Sequence, residues 1–166
     1  MDPKRLLATA VIPAHAELER LGIKDSAAAR RFSLAIALQE TRLKNRRQVI
    51  TSGAEAGPAV SFWQFERAGG CRGVLTHRSS AAKMKAICEI YNVQAAEAGL
   101  WTAMQYQDIV AAAAARLLFY VLPAALPTTA AEGWDQYLAA WRPGKPHEST
   151  WAAHWALADD ITKAPL

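Results

Sequence analysis

Apolar side chains recur every three to four residues along most of this chain, which is the spacing of helices that bury one face. The pattern predicts an N-terminal helical lead-in over residues 4–21. We expect Pro13 to interrupt it, because proline lacks a backbone N–H, and Gly22 to end it. Both expectations follow from local backbone chemistry alone.

The same spacing continues through the rest of the chain. The next predicted helix covers residues 27–43, with Asp25 or Ser26 as its N-cap. The later helical segments are one capped by Ser79 or Ser80, one over 102–122, one that follows Thr129 and ends near Trp141, and one capped by Ser149 or Thr150. The sequence therefore predicts an all-α fold of six or seven helices.

One stretch departs from the helical pattern. Residues 45–76 are rich in glycine and contain the short aromatic run 60–65. This run is compatible with a strand or with an extended loop laid across a helix. We expect one irregular glycine-rich loop or short β excursion in an otherwise helical domain.

Alanine is the commonest residue, and its high helix propensity favours the same fold class. We expect a single domain over 1–166, made of a lead-in (1–24), a core (25–145) and a C-terminal helix (146–166). Cys71 and Cys88 are expected to be buried thiols. The nearly uncharged stretch from Ile109 to Pro127 is predicted to be a buried helix, because Arg116 and Pro123 lie within it. We expect neither a membrane span nor a signal peptide.

Basic residues outnumber acidic ones by 19 to 15, which gives a net charge of +4. This balance favours anionic partners such as nucleic acid or a cell-wall polymer. Arg42, Lys44, Arg46 and Arg47 follow one another closely. They are compatible with attraction to an anionic wall, with a phosphate-contacting patch, or with a solvated helix end whose cations complement the helix dipole.

Glu40 is the most informative single residue. It lies on the same helical stripe as Phe32 and Ile36, so an acid occurs where the helix is apolar. Desolvation and the carbonyl groups of the last helical turn would both raise the pKa of this carboxyl. A carboxylic acid that stays protonated near neutral pH can serve as a general acid. The alternative is an ordinary surface pair with Lys44 at i+4.

Three motifs follow one another in the order of a known superfamily. They are Gln39-Glu40-Thr41, the segment Gly57-Pro58-Ala59-Val60-Ser61-Phe62-Trp63-Gln64-Phe65, and Tyr137-Leu138-Ala139-Ala140-Trp141-Arg142-Pro143-Gly144. This order resembles the lysozyme-like superfamily, specifically the lytic transglycosylases and goose-type lysozymes. The glycine pair after Phe65 and the run to Pro146 also look like small lysozyme-like proteins of tailed bacteriophages.

The resemblance implies a single lysozyme-like domain and a function for individual positions. Glu40 matches the general acid, Gln64 matches the glutamine beside the sugar cleft, and the segment 141–144 matches the element that closes it. The chain also departs from the family. Ser61 stands in place of a glycine, Trp63 in place of an aliphatic residue or methionine, and Trp141-Arg142 in place of Tyr-Asn. These departures leave room for a cleft that binds sugar without turnover.

A glycosidase needs a second group near the anomeric carbon. Glu55 and Glu66 are candidates for a second carboxylate, and each is also compatible with a plain surface acid. The family offers a route with a single glutamate, in which the N-acetyl group of the substrate assists and an anhydro sugar forms. The predicted substrate-binding residues are Ser61, Phe62, Trp63, Gln64, Tyr137, Trp141 and Arg142, with Phe65 as a further aromatic candidate.

Other aromatic and histidine residues are given simpler expectations. Trp101, Trp134, Trp151 and Trp155 are assigned to the core. His77, His147 and His154 show no metal-ligand spacing, so neither a metal nor another cofactor is predicted.

The expected function is a muramidase or lytic transglycosylase that acts on peptidoglycan strands. We expect a phage-encoded enzyme, made in the cytoplasm and carried in the virion among other virion proteins to the host cell wall. One alternative is a structural virion protein that keeps the fold without activity. Another is a small helical nucleic-acid-binding protein, which is disfavoured because no helix carries a clear set of base-reading side chains.

Overall fold

The computed structural model describes residues 1–164 and shows a mainly helical fold with one small antiparallel sheet. The α-helices are α1 (Pro3–Leu6), α2 (Ile12–Arg20), α3 (Ala27–Thr41), α4 (Arg72–Thr76), α5 (Ala81–Ile90), α6 (Glu97–Ala103), α7 (Asp108–Tyr120), α8 (Ala130–Trp141) and α9 (Glu148–Lys163). The strands are β1 (Arg47–Val49) and β2 (Glu55–Val60), and π-helical turns cover Leu7–Val11 and Arg67–Cys71. The mainly helical prediction is confirmed, although residues 1–164 form more α-helices than the six or seven expected, because the stretches predicted as loop or as one helix contain further short helices.

We expected Pro13 to interrupt the N-terminal helix, but the structure shows no interruption there. The helical path runs through α1, the π-helical turn Leu7–Val11 and α2 without a break. The wider π-helical turn lies directly before Pro13, where the ring would otherwise crowd the carbonyl group four residues earlier. Gly22 follows the helix with a φ of 84°, as predicted for a residue that ends it.

Local capping chemistry fixes two of the later helices. The Ser26 side chain accepts a hydrogen bond from the Ala29 N–H at 3.1 Å, which confirms it as the N-cap of α3. Thr129 and Glu132 form a reciprocal capping box at the start of α8. These two helix starts could be predicted from the sequence, because each capping side chain lies three residues from the backbone N–H that it caps.

The predicted helix over 102–122 is wrong, because the structure has α6 and α7 with a break at residues 104–107. Asp108 begins α7 and pairs with Arg46 through two hydrogen bonds of 3.0 and 2.6 Å. This long-range pair and the favourable position of an acid at a helix N-terminus place the start of α7. The last helix begins at Glu148, slightly before the predicted caps.

The glycine-rich stretch is more ordered than expected. It contains the hairpin β1–β2 and then the helical segment 67–76, which the pattern did not predict. The aromatic run 60–65 is neither strand nor loose loop: residues 61–64 form a tight turn, and Val60 and Phe65 bond to each other across it. Pro58 is tolerated in β2 because a two-stranded sheet has only edge strands.

A single buried apolar cluster extends from Leu6 to Ile161. Helix α7 crosses it with five consecutive buried alanines, and Phe32 of α3 packs on Phe119 with ring centroids 4.8 Å apart. Both cysteines are buried thiols, as predicted. No helix within residues 1–164 is long and apolar enough to cross a membrane, as expected.

Candidate active-site cleft

Helix α3 ends at Thr41, directly after Glu40. Arg42 and Leu43 adopt left-handed conformations, with φ values of 50° and 55°, and turn the chain out of the helix. The Thr41 hydroxyl lies 3.1 Å from the Ala37 carbonyl and 3.2 Å from the Phe62 carbonyl, which share its one proton, and it accepts from the Leu43 N–H at 3.2 Å. Thr41 thereby ties the end of α3 to the turn at 61–64.

Glu40 is half-buried and has one side-chain partner. The Tyr137 hydroxyl of α8 donates to Glu40 Oε1 at 2.7 Å. Burial raises the pKa of the Glu40 carboxyl to about 7, although the Tyr137 hydrogen bond lowers it. Within residues 1–164 no basic side chain forms an ion pair with Glu40, so the pair with Lys44 that the i+4 spacing allowed is not formed. Near neutral pH this carboxyl is divided between its acid and its anion.

Glu40 lines a cleft of about 1220 Å³. The cleft is bounded by the end of α3, the hairpin, the segment after Phe65, the end of α8 and the connection to α9. Its lining includes Gln39, Glu40, Thr41, Arg42, Lys44, Arg47, Gln64, Phe65, Glu66, Gly69, Gly70, Tyr137, Trp141, Arg142, Lys145, His147 and Thr150. A cleft of this volume accommodates several sugar rings or a comparably sized ligand.

Three aromatic residues border the cleft, but only Trp141 is appreciably exposed, since Phe65 and Tyr137 are 2% and 3% exposed. Trp141 is half-buried, and its Nε1 donates to the Trp63 carbonyl at 2.8 Å. Its ring meets Phe65 edge-to-face at 6.0 Å and lies nearly parallel to Tyr137 at 6.4 Å. Gly70 allows Phe65 to sit here, because a Cβ at residue 70 would come within 2.6 Å of the Phe65 ring. Trp141 is therefore the predicted aromatic residue with ring surface open to the cleft. Tyr137 and Phe65 are too buried to contact substrate as predicted, and Tyr137 reaches Glu40 through its hydroxyl.

Gln64 and Arg142 also line the cleft, as expected. Gln64 has a φ of 51°, and its side-chain amide donates to the Ser61 carbonyl at 2.9 Å, which closes the turn. Arg142 is exposed directly after α8. Both have polar groups that face the cleft region rather than the core.

Ser61, Phe62 and Trp63 do not line the cleft, so this part of the predicted binding site is wrong. Trp63 is 0% exposed, and its Nε1 donates to the Ser33 carbonyl of α3 at 2.8 Å. Ser61 is buried and accepts from the Trp63 N–H. The tight turn at 61–64 points its two large rings inward, which an alternating strand would not have done.

The remaining tryptophans follow the prediction with one exception. Trp134, Trp151 and Trp155 are buried in the core. Trp101 is half-buried at the hairpin instead, where its Nε1 donates to the Pro58 carbonyl at 2.7 Å. Trp101 therefore lies at the edge of the core, against which it packs, and links it to the hairpin.

The two candidates for a second carboxylate occupy different places. Glu66 is exposed and lines the cleft. Glu55 lies at the start of β2 in a separate shallow depression with Arg46, Arg47 and Tyr106. Glu66 is therefore the candidate that shares a cavity with Glu40.

Gln39, the neighbour of Glu40, is a positioning residue that the sequence pattern did not single out. Its amide donates to the His147 carbonyl at 2.9 Å, and its Oε1 lies 3.1 Å from the Thr150 hydroxyl and 2.9 Å from His154 Nδ1. These contacts join α3 to the start of α9 across the cleft lining. The spacing of these residues in the sequence does not indicate that Gln39 contacts the residues at the start of α9.

A second polar cluster, also missed, lies at the other end of α3. His15 Nδ1 is 2.8 Å from Asp25 and its Nε2 is 3.1 Å from the Ser33 hydroxyl. This order of groups is the one found in serine hydrolases. Ser33 is 0% and His15 1% exposed, however, so no substrate reaches them and the cluster is structural.

Comparison with known proteins adds no assignment. The chain matches no family model, no curated protein and no solved structure. A functional assignment for this chain therefore depends on the chemistry of the cleft itself.

Proposed function

We propose that this protein is a lysozyme-like glycosidase that cleaves the β-1,4 links of peptidoglycan, as a muramidase or a lytic transglycosylase. The observation that carries the proposal is Glu40: a carboxyl group with a pKa of about 7 in an open cleft that also exposes part of the Trp141 ring. Aromatic side chains pack on the apolar faces of sugars. A protonated carboxyl at that position can protonate a glycosidic oxygen.

The reaction moves two protons through Glu40, which first donates one and then accepts another. Glu40 donates its proton to the glycosidic oxygen while the bond from that oxygen to the anomeric carbon breaks. The carbonyl oxygen of the N-acetyl group on the same sugar bonds to the anomeric carbon and holds its developing positive charge. The oxygen of the nucleophile, which is water in hydrolysis or the 6-hydroxyl of the sugar in transglycosylation, then bonds to the anomeric carbon while the bond to the acetamido oxygen breaks. The Glu40 carboxylate accepts the proton that the nucleophile loses.

Tyr137 and Gln39 support this chemistry as positioning residues. The Tyr137 hydroxyl fixes Glu40 Oε1, so the other carboxyl oxygen is left to carry the acidic proton. Gln39 holds the connection before α9 at the edge of the cleft. Both contacts restrict the geometry of the acid relative to a bound glycan.

The virion setting is part of the proposal and rests on the sequence resemblance to small lysozyme-like phage proteins. An inactive structural virion protein with the same fold remains the competing function. The two functions differ in one measurable property, which is cleavage of purified wall.

The test is release of soluble fragments from purified peptidoglycan by the parent, Glu40→Gln and Glu66→Gln proteins. Glu40→Gln is expected to lower the initial rate about 10²- to 10⁴-fold, the range for loss of a general acid. Glu66→Gln is the matched control, because it removes a carboxylate from the same cleft. Its activity is expected to stay within about threefold of the parent if the route uses a single glutamate.

Equal activity of Glu40→Gln and the parent would overturn the assignment of the acid. No cleavage by the parent would favour the structural virion protein. Mass analysis of the fragments separates the two enzymatic routes, because anhydro ends exclude attack by water. A large loss in Glu66→Gln would instead assign Glu66 as a second catalytic carboxylate.

A further inference from the structure

The cleft gathers basic side chains from separate parts of the chain. Five of them line it: Arg42, Lys44, Arg47, Arg142 and Lys145. The acidic residues in the same lining are Glu40, which is partly protonated near neutral pH, and Glu66. The ratio of basic to acidic side chains is therefore higher in the cleft lining, at five to two, than in the whole chain, at 19 to 15.

Within residues 1–164, six basic side chains outside the cleft form ion pairs with acids, while others, such as Lys24, Arg78 and Lys85, form none. Arg30 pairs with Asp25 and Arg46 with Asp108, and the remaining pairs involve Arg20, Arg31, Arg72 and Lys163. Within residues 1–164 none of the five cleft cations forms an ion pair. The contrast is clearest at two consecutive residues, since Arg46 is paired with Asp108 while Arg47 is not paired and lines the cleft.

Helix dipoles explain only part of this arrangement. Arg42 and Arg142 directly follow the C-termini of α3 and α8, where positive charge is favourable. Arg47 lies in β1 and Lys145 in the connection to α9, both beyond the last helical turn. Arg47 is also held in place, because its Nε donates to the Gly57 carbonyl at 3.1 Å. The dipole effect is confined to the ends of helices, so it does not account for cations at these positions.

Like charges around one concave surface repel each other and raise the local concentration of anions. The partly exposed Trp141 ring and the five basic side chains in the same cleft fit a ligand that is both sugar-like and negatively charged. Peptidoglycan has this combination, because its peptide side chains carry free carboxylates on a neutral glycan backbone. Chitin-like glycans and amidated walls offer the same backbone without the charge.

We propose that the five cleft cations bind the peptide-borne carboxylates of the wall, so that the cleft selects acidic glycan strands over neutral ones. This inference rests on the proposed function. Electrostatic selection of this kind acts through association and fades with salt. In this proposal the five cations determine specificity, and Glu40 alone acts as the acid.

The test compares two charge-matched triple variants. Arg42→Gln/Lys44→Gln/Lys145→Gln removes three cleft cations, and Lys24→Gln/Arg78→Gln/Lys85→Gln removes three exposed, unpaired cations that do not line the cleft. Each is assayed at low and high salt on peptidoglycan free of wall phosphate polymers, and on the same material after its carboxylates are amidated. Thermal melts confirm that both variants fold.

On the acidic wall at low salt, the cleft variant is expected to lose about tenfold in initial rate, from three exposed charge contacts of ordinary strength. On the amidated wall it should stay within about twofold of the parent. The control variant should match the parent on both materials, and the preference of the parent for the acidic wall should shrink at high salt.

Equal loss on both materials, or no loss on either, would overturn the inference while the proposed function stands. A loss that appears only on wall retaining its phosphate polymers would also overturn it and would assign the cations to phosphate. If the parent cleaves no wall, the proposed function fails, and the same variants are then tested by co-sedimentation with the same two materials. Carboxylate-dependent binding lost in the cleft variant would still support the inference, whereas stronger salt-sensitive binding to duplex DNA would overturn it.

Discussion

A partly buried carboxyl group lies at each end of helix α3, and the pKa values of these two groups are shifted in opposite directions. At the N-terminal end, burial alone would raise the pKa of Asp25, but hydrogen bonds from His15 and Arg30 outweigh it and lower the pKa to about 2. At the C-terminal end, burial raises the pKa of Glu40 to about 7 against a single hydroxyl partner. One helix thus holds a permanent anion at one end and a titratable acid at the other.

The difference lies in the number and charge of the partners. Asp25 accepts from the Ser26 N–H at 2.8 Å, from His15 and from Arg30. Because an ionised carboxylate only accepts hydrogen bonds, Nδ1 of His15 carries the proton and Nε2 accepts from Ser33. Among residues 1–164, Glu40 has neither a cation nor a backbone N–H as a hydrogen-bond partner. A fully partnered carboxylate stabilises the fold, whereas a sparsely partnered one is available for proton transfer.

The largest expected effect comes from breaking the N-terminal cluster. Asp25→Asn leaves Arg30 without its carboxylate and His15 without its ionised acceptor, so unfolding free energy at pH 7 should fall by about 2–4 kcal/mol. Urea unfolding of the parent and the variant measures this. Asp159→Asn is a suitable control, because Asp159 pairs with Arg31 and Lys163 nearer the surface and its loss should cost less.

The pH dependence sharpens the same test. A carboxyl with a lowered pKa stabilises the fold above its unfolded pKa, and that stabilisation is lost as the pH falls from about 4 towards 2. The parent should therefore lose stability in this window more steeply than Asp25→Asn. Parallel curves would contradict the pairing of Asp25 in the folded state.

Glu40→Gln should change stability in the opposite direction. Because the pKa of Glu40 is raised from 4.5 to about 7, the folded protein binds its proton more tightly than the unfolded chain, and stability falls as the pH rises through that window. The neutral variant avoids this loss and should be more stable than the parent by about 1–3 kcal/mol at pH 8. Thermal or urea unfolding at pH 8 measures the gain.

The difference between Glu40→Gln and the parent should disappear near pH 4, where both side chains are neutral. A variant that is less stable than the parent at every pH would show that the Glu40 carboxylate is stabilising, and the assignment of a burial-raised pKa would be wrong.

The smallest expected effect is on the pH profile of the proposed activity. The Tyr137 hydroxyl lowers the pKa of Glu40, so Tyr137→Phe should raise that pKa further. The activity requires the protonated acid, so the alkaline limb of kcat/KM should move up by as much as about one pH unit. Wall-cleavage rates between pH 5 and 9 measure it. If Tyr137→Phe lowers the rate at every pH and leaves the alkaline limb of kcat/KM where it is, Tyr137 contributes only to packing.

Short-range chemistry explains the sequence predictions that succeeded. Ser26, Thr129 and Gly22 act on backbone groups a few residues away, so the helix boundaries they set were readable. Glu40 was found because an acid on an apolar helical stripe stands out. Its partner Tyr137 lies 97 residues along the chain, and only its place in a motif indicated that it would come near.

The sequence alone determined a mainly helical chain with one irregular segment. It also determined that the carboxyl group of Glu40 lies on an apolar helical face, where folding removes part of its hydration. Only the tertiary structure decided which aromatic residues face the cleft, because the turn at 61–64 sends Trp63 into the core and leaves Trp141 at the surface. It also decided which cations are paired, since Arg46 and Arg47 are neighbours with the same local propensities. Burial and pairing depend on groups that are distant along the chain, and one-dimensional spacing does not encode that distance.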